Sequence, residues 1–195
     1  MNLDYKVIKL IQNNLYQNKS YLNHSSKFIS GRKYRKAYLC LSMIYFIVLF
    51  SKNNLELSEL FMKFFGILNI YILGYLSRRI NIIIKLYFKR RRPFLKYDNI
   101  LTDEKTRTKK ENTYSFPSNS IQTSLIFYNI LYTHILNFED YKNMFLFLII
   151  IIISLSKMNQ GLHYPSDIIF SIVIFLFINF IYHIIFISIR ILFGW

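Results

Sequence analysis

Long apolar runs separated by short polar clusters dominate the chain. The runs are Ala37 to Phe50, Leu57 to Phe88, Ile121 to Phe138, Met144 to Leu155 and Ile168 to Phe193. A helix needs roughly 20 apolar residues to cross a bilayer core of about 30 Å. The first run is shorter and could cross if its flanking lysines and arginines reach the headgroups. We therefore predict an all-α integral membrane bundle of about five spans.

The second run is interrupted by Arg78 and Arg79, although no proline or glycine follows them before Pro93. The pattern predicts a span over about 58–77 and a helical continuation that carries Lys85 near its end. Residues 89–115 are strongly polar and show no hydrophobic period, which is typical of a loop.

The N-terminal residues 4–16 carry apolar side chains at helical spacing, beginning with Tyr5, Val7 and Ile8. This spacing predicts either an amphipathic helix on the membrane surface or a short helix packed on the bundle. We accordingly divide the chain into an N-terminal amphipathic and basic segment, 1–36, and a membrane domain, 37–195, that contains the polar loop 89–115.

Composition supports the membrane assignment and disfavours two classes of function. The chain is 53% hydrophobic and carries a formal charge of +15. Its basic clusters adjoin apolar runs, so they indicate membrane flanks and argue against nucleic-acid binding. The apolar runs have few acidic residues, with Glu59 near the start of the second run and Asp167 immediately before the last, which argues against a proton-coupled transporter.

Each of the three prolines falls in a polar cluster at the end of an apolar run: RRRPF, FPSNS and HYPSD. Taken singly, each cluster has a structural explanation. RRRPF is typical of a basic flank of a membrane span, and FPSNS of a helix start with Ser118 as N-cap. HYPSD is typical of a turn into the last helix, with Ser166 and Asp167 complementing its dipole.

Taken together, the clusters contain groups that suit a phosphate dianion. Lys85 and Arg92 can supply charge-assisted hydrogen bonds and would face one point if the helix persisted between them. A helix start at Ser118 offers backbone N–H groups, where anions bind readily. His163 and Asp167 are four residues apart, so the carboxylate could fix the tautomer of the imidazole.

The order and spacing of these clusters resemble the type 2 phosphatidic acid phosphatase superfamily, which includes the vanadium haloperoxidases. KLYFKRRRP is similar to the family pattern Lys-x6-Arg-Pro, FPSNS to Pro-Ser-Gly-His, and SKMNQGLHYPSD to Ser-Arg-x5-His-x3-Asp. The resemblance covers about residues 59–190 and is greatest to the polyisoprenoid diphosphate phosphatase branch. Haloperoxidase activity is disfavoured because those members are soluble.

The resemblance implies a role for each matching residue. His163 would be the nucleophile that forms a phosphohistidine, and Asp167 would orient it. The phosphate-binding residues would be Lys85, Arg92, Ser118, Asn119 and Lys157. No metal or other cofactor is implied.

The chain departs from the family pattern at three of these positions. Asn119 replaces glycine, Ser120 replaces the general-acid histidine, and Lys157 replaces arginine. A serine hydroxyl cannot donate a proton usefully at neutral pH, so Ser120 is the most serious change. A lipid diphosphate has a better leaving group than a lipid monophosphate and needs that proton less.

We therefore expect a metal-independent membrane lipid phosphatase that acts on lipid phosphates, above all diphosphates such as polyisoprenyl diphosphates. The alternative is a catalytically impaired pseudophosphatase that binds lipid phosphates or serves as a membrane scaffold. The expected partners are the lipid substrate and membrane lipids, with no nucleic acid. The expected location is the endoplasmic reticulum or another endomembrane, and the excess of basic residues on one side favours a cytoplasmic site.

Overall fold

The computed structural model describes residues 3–15, 57–102, 113–130 and 139–193, together with residues 21, 24, 40, 44, 107, 108 and 110. The elements in this part of the chain are six helices: α1 Leu3–Leu15, α2 Leu57–Phe88, α3 Pro93–Lys96, α4 Asn119–Ile130, α5 Glu139–Asn159 and α6 Pro165–Phe193. The predicted all-α class is confirmed for these residues. The predicted first span, residues 37–50, lies outside the described residues except for Cys40 and Ile44.

Helix α2 runs without a break through Arg78 and Arg79, as the sequence predicted. Arg79 donates a hydrogen bond from Nε to the hydroxyl of Tyr75, 2.9 Å away, and its guanidinium lies 5.1 Å from the centre of the same ring. The charge is therefore held at the helix surface by a neighbour one turn away, and the backbone does not have to bend around it.

Helix α4 is the centre of the bundle and contacts α2, α5 and α6. Its fully buried Ile121 and Leu125 pack with Ile153 of α5 and Phe175 of α6 in the main core cluster. The N-terminus of α4 consequently lies among the ends of several helices, where the polar clusters of the sequence are found.

Helix α1 packs against α5 and α6, which is the second of the two alternatives left open by its amphipathic pattern. Ile8 is fully buried with Leu162 and Tyr164 in a second cluster, whereas Leu10 on the opposite face is 63% exposed. The Gln12 side-chain amide donates to the carbonyl oxygens of Leu101 at 2.7 Å and Asn159 at 2.9 Å.

One described helix is long and apolar enough to cross a membrane. It is the segment Pro165–Ile185 of α6, with a mean hydropathy of 2.6 and only 28% of its most apolar window buried. Such low burial is typical of lipid-facing surface. The segment Asn143–Asn159 of α5 is apolar but shorter, so the count of five spans stays a prediction.

The turn after α5 depends on Gly161, which has a positive φ of 63°. Its carbonyl accepts a hydrogen bond from the N–H of Phe94 in α3 at 3.2 Å. A Cβ at this position would lie 2.6 Å from Cγ2 of Ile100 and 3.3 Å from the carbonyl oxygen of Leu101. Gly161 thus lets the chain reverse closely against α3, just ahead of His163.

Replacing Gly161 by alanine should lower the free energy of unfolding by about 1–3 kcal/mol, because it combines an unfavourable φ with steric overlap. Thermal unfolding in detergent would measure the change. Gly74→Ala is the matched control, since no heavy atom lies within 4 Å of its added Cβ and alanine suits a helix interior. Equal effects of the two substitutions would contradict this account of the turn.

Candidate functional site

Lys85 and Arg92 reach the same cavity by a route that differs from the sequence prediction. Helix α2 ends at Phe88, and Lys89 adopts a positive φ of 45°, so the helix does not persist to Arg92. The N–H of Ser115 donates a hydrogen bond to the carbonyl oxygen of Arg90 at 2.9 Å. This contact holds the turn after α2 against the segment that precedes α4. The two cations are therefore brought together by a turn rather than by a shared helix face.

Arg92 is only 4% exposed. Its guanidinium links its own segment to residues 113–114 and to Leu162 around the cavity. Its Nε donates to the carbonyl oxygen and hydroxyl of Thr113 at 3.0 and 2.9 Å. Nη1 donates to the carbonyl of Leu162 at 2.9 Å, and Nη2 to that of Tyr114 at 3.2 Å. A guanidinium has five N–H groups, so these contacts leave donor capacity on both terminal nitrogens for a ligand.

Lys85 lies in the last turn of α2, beyond the predicted span 58–77. Its Nζ donates to the carbonyl oxygens of Tyr114 at 2.9 Å and Ser115 at 3.3 Å. Burial, and secondly the nearby charge of Arg92, lower the pKa of Lys85 to about 7. An anion bound beside it would favour the charged form.

The HYPSD cluster forms the start of α6 and places the imidazole of His163. Tyr164 precedes the first helical residue, Pro165, and its N–H donates to Oδ2 of Asp167 at 2.9 Å. This contact is the carboxylate half of a capping box. The same oxygen lies 3.6 Å from Nδ1 of His163, longer than a hydrogen bond but close enough for strong electrostatic coupling.

His163 is almost completely buried, and burial lowers its pKa to about 4 against the opposing effect of Asp167. The charges of Arg92 and Lys85 add to the lowering. The imidazole is therefore neutral at physiological pH, which leaves a ring nitrogen able to act as a nucleophile. With Nδ1 beside Asp167, Nε2 is the nitrogen available to the cavity.

Helix α4 begins at Asn119, and its first two residues, Asn119 and Ser120, line the cavity. Helix N-termini attract anions through their unpaired N–H groups. Ser118 lies behind this wall, fully buried, with its N–H donating to Oγ of Ser171 at 2.7 Å. The Asn119 side-chain oxygen accepts a hydrogen bond from the buried Asn81 of α2.

The cavity has a volume of about 250 Å³, below the roughly 300–1,000 Å³ typical of pockets for drug-sized ligands. It therefore suits a small headgroup. Among the residues that the structure describes, its wall contains four cationic side chains and no carboxylate. The residues that line it are Lys85, Arg92, Lys110, Thr113, Tyr114, Asn119, Ser120, Lys157, Leu162 and His163.

The structure thus brings together Lys85, Arg92, Asn119, Ser120, Lys157 and His163 of the sequence-predicted site, with Asp167 directly behind His163. Ser118 is not part of the lining. Sequence reasoning missed Lys110, Thr113 and Tyr114, which belong to the polar segment before α4. That segment has no hydrophobic period, so the sequence contained no signal for which of its residues would face the cavity.

Comparison with known proteins identifies one family. The family model of the PAP2 superfamily matches residues 63–190, almost two thirds of the chain, and these residues include every group of the cavity wall. No curated protein and no solved structure matches the chain.

Sulfate should bind in this cavity with an affinity that falls as the pH rises above about 7. Sulfate stays a dianion across this range, so a change in affinity reports on the protein. Lys85, with a pKa of about 7, is charged below that pH and loses its charge above it, which costs at most tenfold in affinity per pH unit. Isothermal titration calorimetry in detergent would measure the binding.

Lys85→Arg should keep sulfate affinity nearly constant up to about pH 9, because an arginine stays charged there. Lys6→Gln, on the exposed face of α1, is a control for loss of one surface charge and should leave the pH dependence as in the wild type. A wild-type affinity that does not change between pH 6 and 9 would contradict the assignment of Lys85 to the anion site.

Proposed function

Because the chain belongs to the PAP2 superfamily, we propose that it is a membrane lipid phosphatase whose nucleophile is His163. Membership supports a phosphatase-type activity, and the family acts on lipid phosphates in general terms. The observation that carries the proposal for this chain is a neutral imidazole in the wall of a cavity with four cations.

In the first step, Nε2 of His163 attacks phosphorus and the bond to the leaving oxygen breaks, with the electron pair going to that oxygen. The attacking imidazole gains positive charge, which the carboxylate of Asp167 can stabilise from 3.6 Å away. Lys85 and Arg92 lie where they can neutralise the phosphoryl oxygens. Water then attacks the phosphohistidine, releases inorganic phosphate and restores the neutral histidine.

The substrate preference follows from the residue at position 120. Ser120 lines the cavity where the family pattern has a general-acid histidine, and its hydroxyl is too weak an acid to protonate an alkoxide. A lipid diphosphate loses a lipid monophosphate, which is a far weaker base than an alkoxide. We therefore assign lipid diphosphates, such as polyisoprenyl diphosphates, as the preferred substrates.

A pseudophosphatase that binds lipid phosphates is the second candidate, and Ser120 is the observation that favours it. The cationic cavity would serve a binder as well as an enzyme, because it needs only to attract the anion. The two candidates differ in whether bound phosphate is released. The endomembrane location and the cytoplasmic orientation of the site stay predictions from the sequence.

Purified wild-type protein should release phosphate from a short-chain prenyl diphosphate at least tenfold faster than from the matching monophosphate, because only the monophosphate requires a protonated leaving group. His163→Ala should abolish both reactions, since it removes the nucleophile. His183→Ala, which changes a histidine of α6 outside the cavity wall, is the control and should retain both rates. A colorimetric phosphate assay would measure them.

Equal turnover of the two lipids would contradict the diphosphate preference. Activity that survives in His163→Ala would contradict the phosphohistidine route. A wild type that binds sulfate as expected and hydrolyses neither lipid would favour the pseudophosphatase.

Ser120→His should raise hydrolysis of the lipid monophosphate by about tenfold or more, as a positioned general acid contributes about 10² to 10⁴ in rate. Diphosphate hydrolysis should change much less, so the ratio of the two rates should move towards one. Ser120→Gln, similar in size but without a titratable proton, should not raise the monophosphate rate. Equal gains for both substrates in Ser120→His would contradict the assigned role of position 120.

A further inference from the structure

Arg90 contacts the carboxylate of Asp167 through Oδ1, and neither the family pattern nor the cavity wall includes Arg90. Its Nη1 donates to Oδ1 of Asp167 at 2.6 Å and to Oγ of Ser166 at 2.8 Å. The guanidinium also lies 3.9 Å from the centre of the Tyr164 ring. The side chain of Asp167 is fully buried and that of Arg90 is 30% exposed, so the ion pair is partly shielded from water, which strengthens the contact.

The N-terminal helix supplies the second partner of Arg90. Asp4 of α1 accepts from Nη2 of Arg90 at 2.7 Å, through Oδ2. The same carboxylate accepts the hydroxyl of Ser166 at 2.6 Å and its backbone N–H at 3.2 Å. Asp4 therefore satisfies a donor in the first turn of α6 and ties α1 to the start of the helix that carries Asp167.

These contacts fix the plane of the Asp167 carboxylate. Oδ1 is held by Arg90 and Oδ2 by the N–H of Tyr164, so rotation of the carboxylate would break both bonds. In this orientation Oδ2 is the oxygen that faces Nδ1 of His163. A carboxylate held in this way keeps the imidazole in one orientation during attack on phosphorus.

The charges alternate along the chain of contacts from Asp4 through Arg90 and Asp167 to His163. Arg90 alone would draw the negative charge of Asp167 away from the imidazolium that forms at His163. Asp4 offsets this effect because it shares Arg90 at nearly the same distance, 2.7 Å against 2.6 Å. Asp167 thereby keeps its capacity to stabilise the imidazolium.

We propose that Arg90 and Asp4 are positioning residues for the Asp167–His163 pair, so that α1 is part of the catalytic unit. The proposal rests on the phosphatase function above, because it concerns the orientation of the nucleophile of that reaction. Neither residue is assigned a contact with substrate.

Arg90→Gln should lower kcat by roughly 10- to 100-fold with little change in KM, because the cationic cavity is intact while the nucleophile is less well oriented. Arg90→Lys should recover part of the loss, since it restores one charged contact. Asp4→Asn should lower kcat by a smaller factor, and the double variant Asp4→Asn/Arg90→Gln should be no worse than Arg90→Gln alone. The neighbouring exposed Arg91→Gln and the variant Lys6→Gln on the exposed face of α1 are matched controls that should retain wild-type kcat.

Arg90→Gln and Asp4→Asn should shift the acid limb of the pH profile of kcat in opposite directions. Removing the positive charge of Arg90 lets Asp167 stabilise the imidazolium more strongly, so the limb moves to higher pH. Removing the negative charge of Asp4 leaves Arg90 unopposed, so the limb moves to lower pH. The other charged groups that the structure describes around His163 are Arg92 ahead of α3, Lys85 of α2, and Lys110 and Lys157 in the cavity wall, and they are the same in both variants.

Nuclear magnetic resonance of ¹⁵N-labelled histidines tests the contact without substrate, with the His163 signal assigned from its loss in His163→Ala. The pKa of His163 should rise in Arg90→Gln and fall in Asp4→Asn. These shifts in a protein that hydrolyses nothing would overturn the phosphatase function and leave the positioning contacts supported. Shifts in the same direction, or wild-type kcat in Arg90→Gln and Asp4→Asn, would overturn the proposal.

Discussion

The buried carboxylate of Asp167 is the group around which the site is organised. A carboxylate without exposure to water needs several donors to be stable, and here they come from the N–H of Tyr164 and from Arg90, with His163 beside it. The Tyr164 N–H belongs to the start of α6, whereas Arg90 belongs to the turn after α2. The hydrogen bonds to the Asp167 carboxylate therefore fix the start of α6, the turn after α2 and the imidazole of His163 relative to one another.

The cavity has the opposite charge: the described part of its wall contains a group of cations and no carboxylate. Backbone carbonyl oxygens hold these cations in place: Arg92 donates to three residues and Lys85 to two. Carbonyl dipoles satisfy the donors without neutralising the charge, so the site keeps its attraction for a dianion. Burial is the main cause of the lowered pKa values of Lys85 and His163, and the neighbouring cations add to the lowering, so the imidazole is neutral at physiological pH.

The replacement at position 120 separates binding chemistry from proton-transfer chemistry. Lys85, Arg92 and Lys157 give the cavity its positive charge and the start of α4 lines it as well, whichever residue follows Asn119. Only the expulsion of a strongly basic leaving group requires an acid at that point. The substitution of a single residue can therefore narrow the range of substrates while the architecture around the phosphate is retained.

The sequence by itself determined the long helices and the candidate residues of the site, whereas the short helix α3 falls in residues 89–115, which the sequence predicted to be a loop. The bounds of α2 could be recognised because apolar content and the absence of proline are local properties of a helix. Lys85, Arg92, His163 and Asp167 could be recognised because their spacing at helix ends is a pattern within short segments. The start of α6 could be recognised in the same way, because the sequence YPSD places a carboxylate three residues after the N-cap, where it can accept the N-cap N–H.

Only the tertiary structure decided how distant segments meet. It showed that Arg92 reaches Lys85 through a turn at Lys89, that Ser118 lies behind the wall formed by Asn119, and that Lys110 belongs to the cavity. It also brought Asp4 to Arg90 across 86 residues of chain. Periodicity describes one segment at a time, whereas these contacts depend on how helices pack and on which buried charge each donor must satisfy.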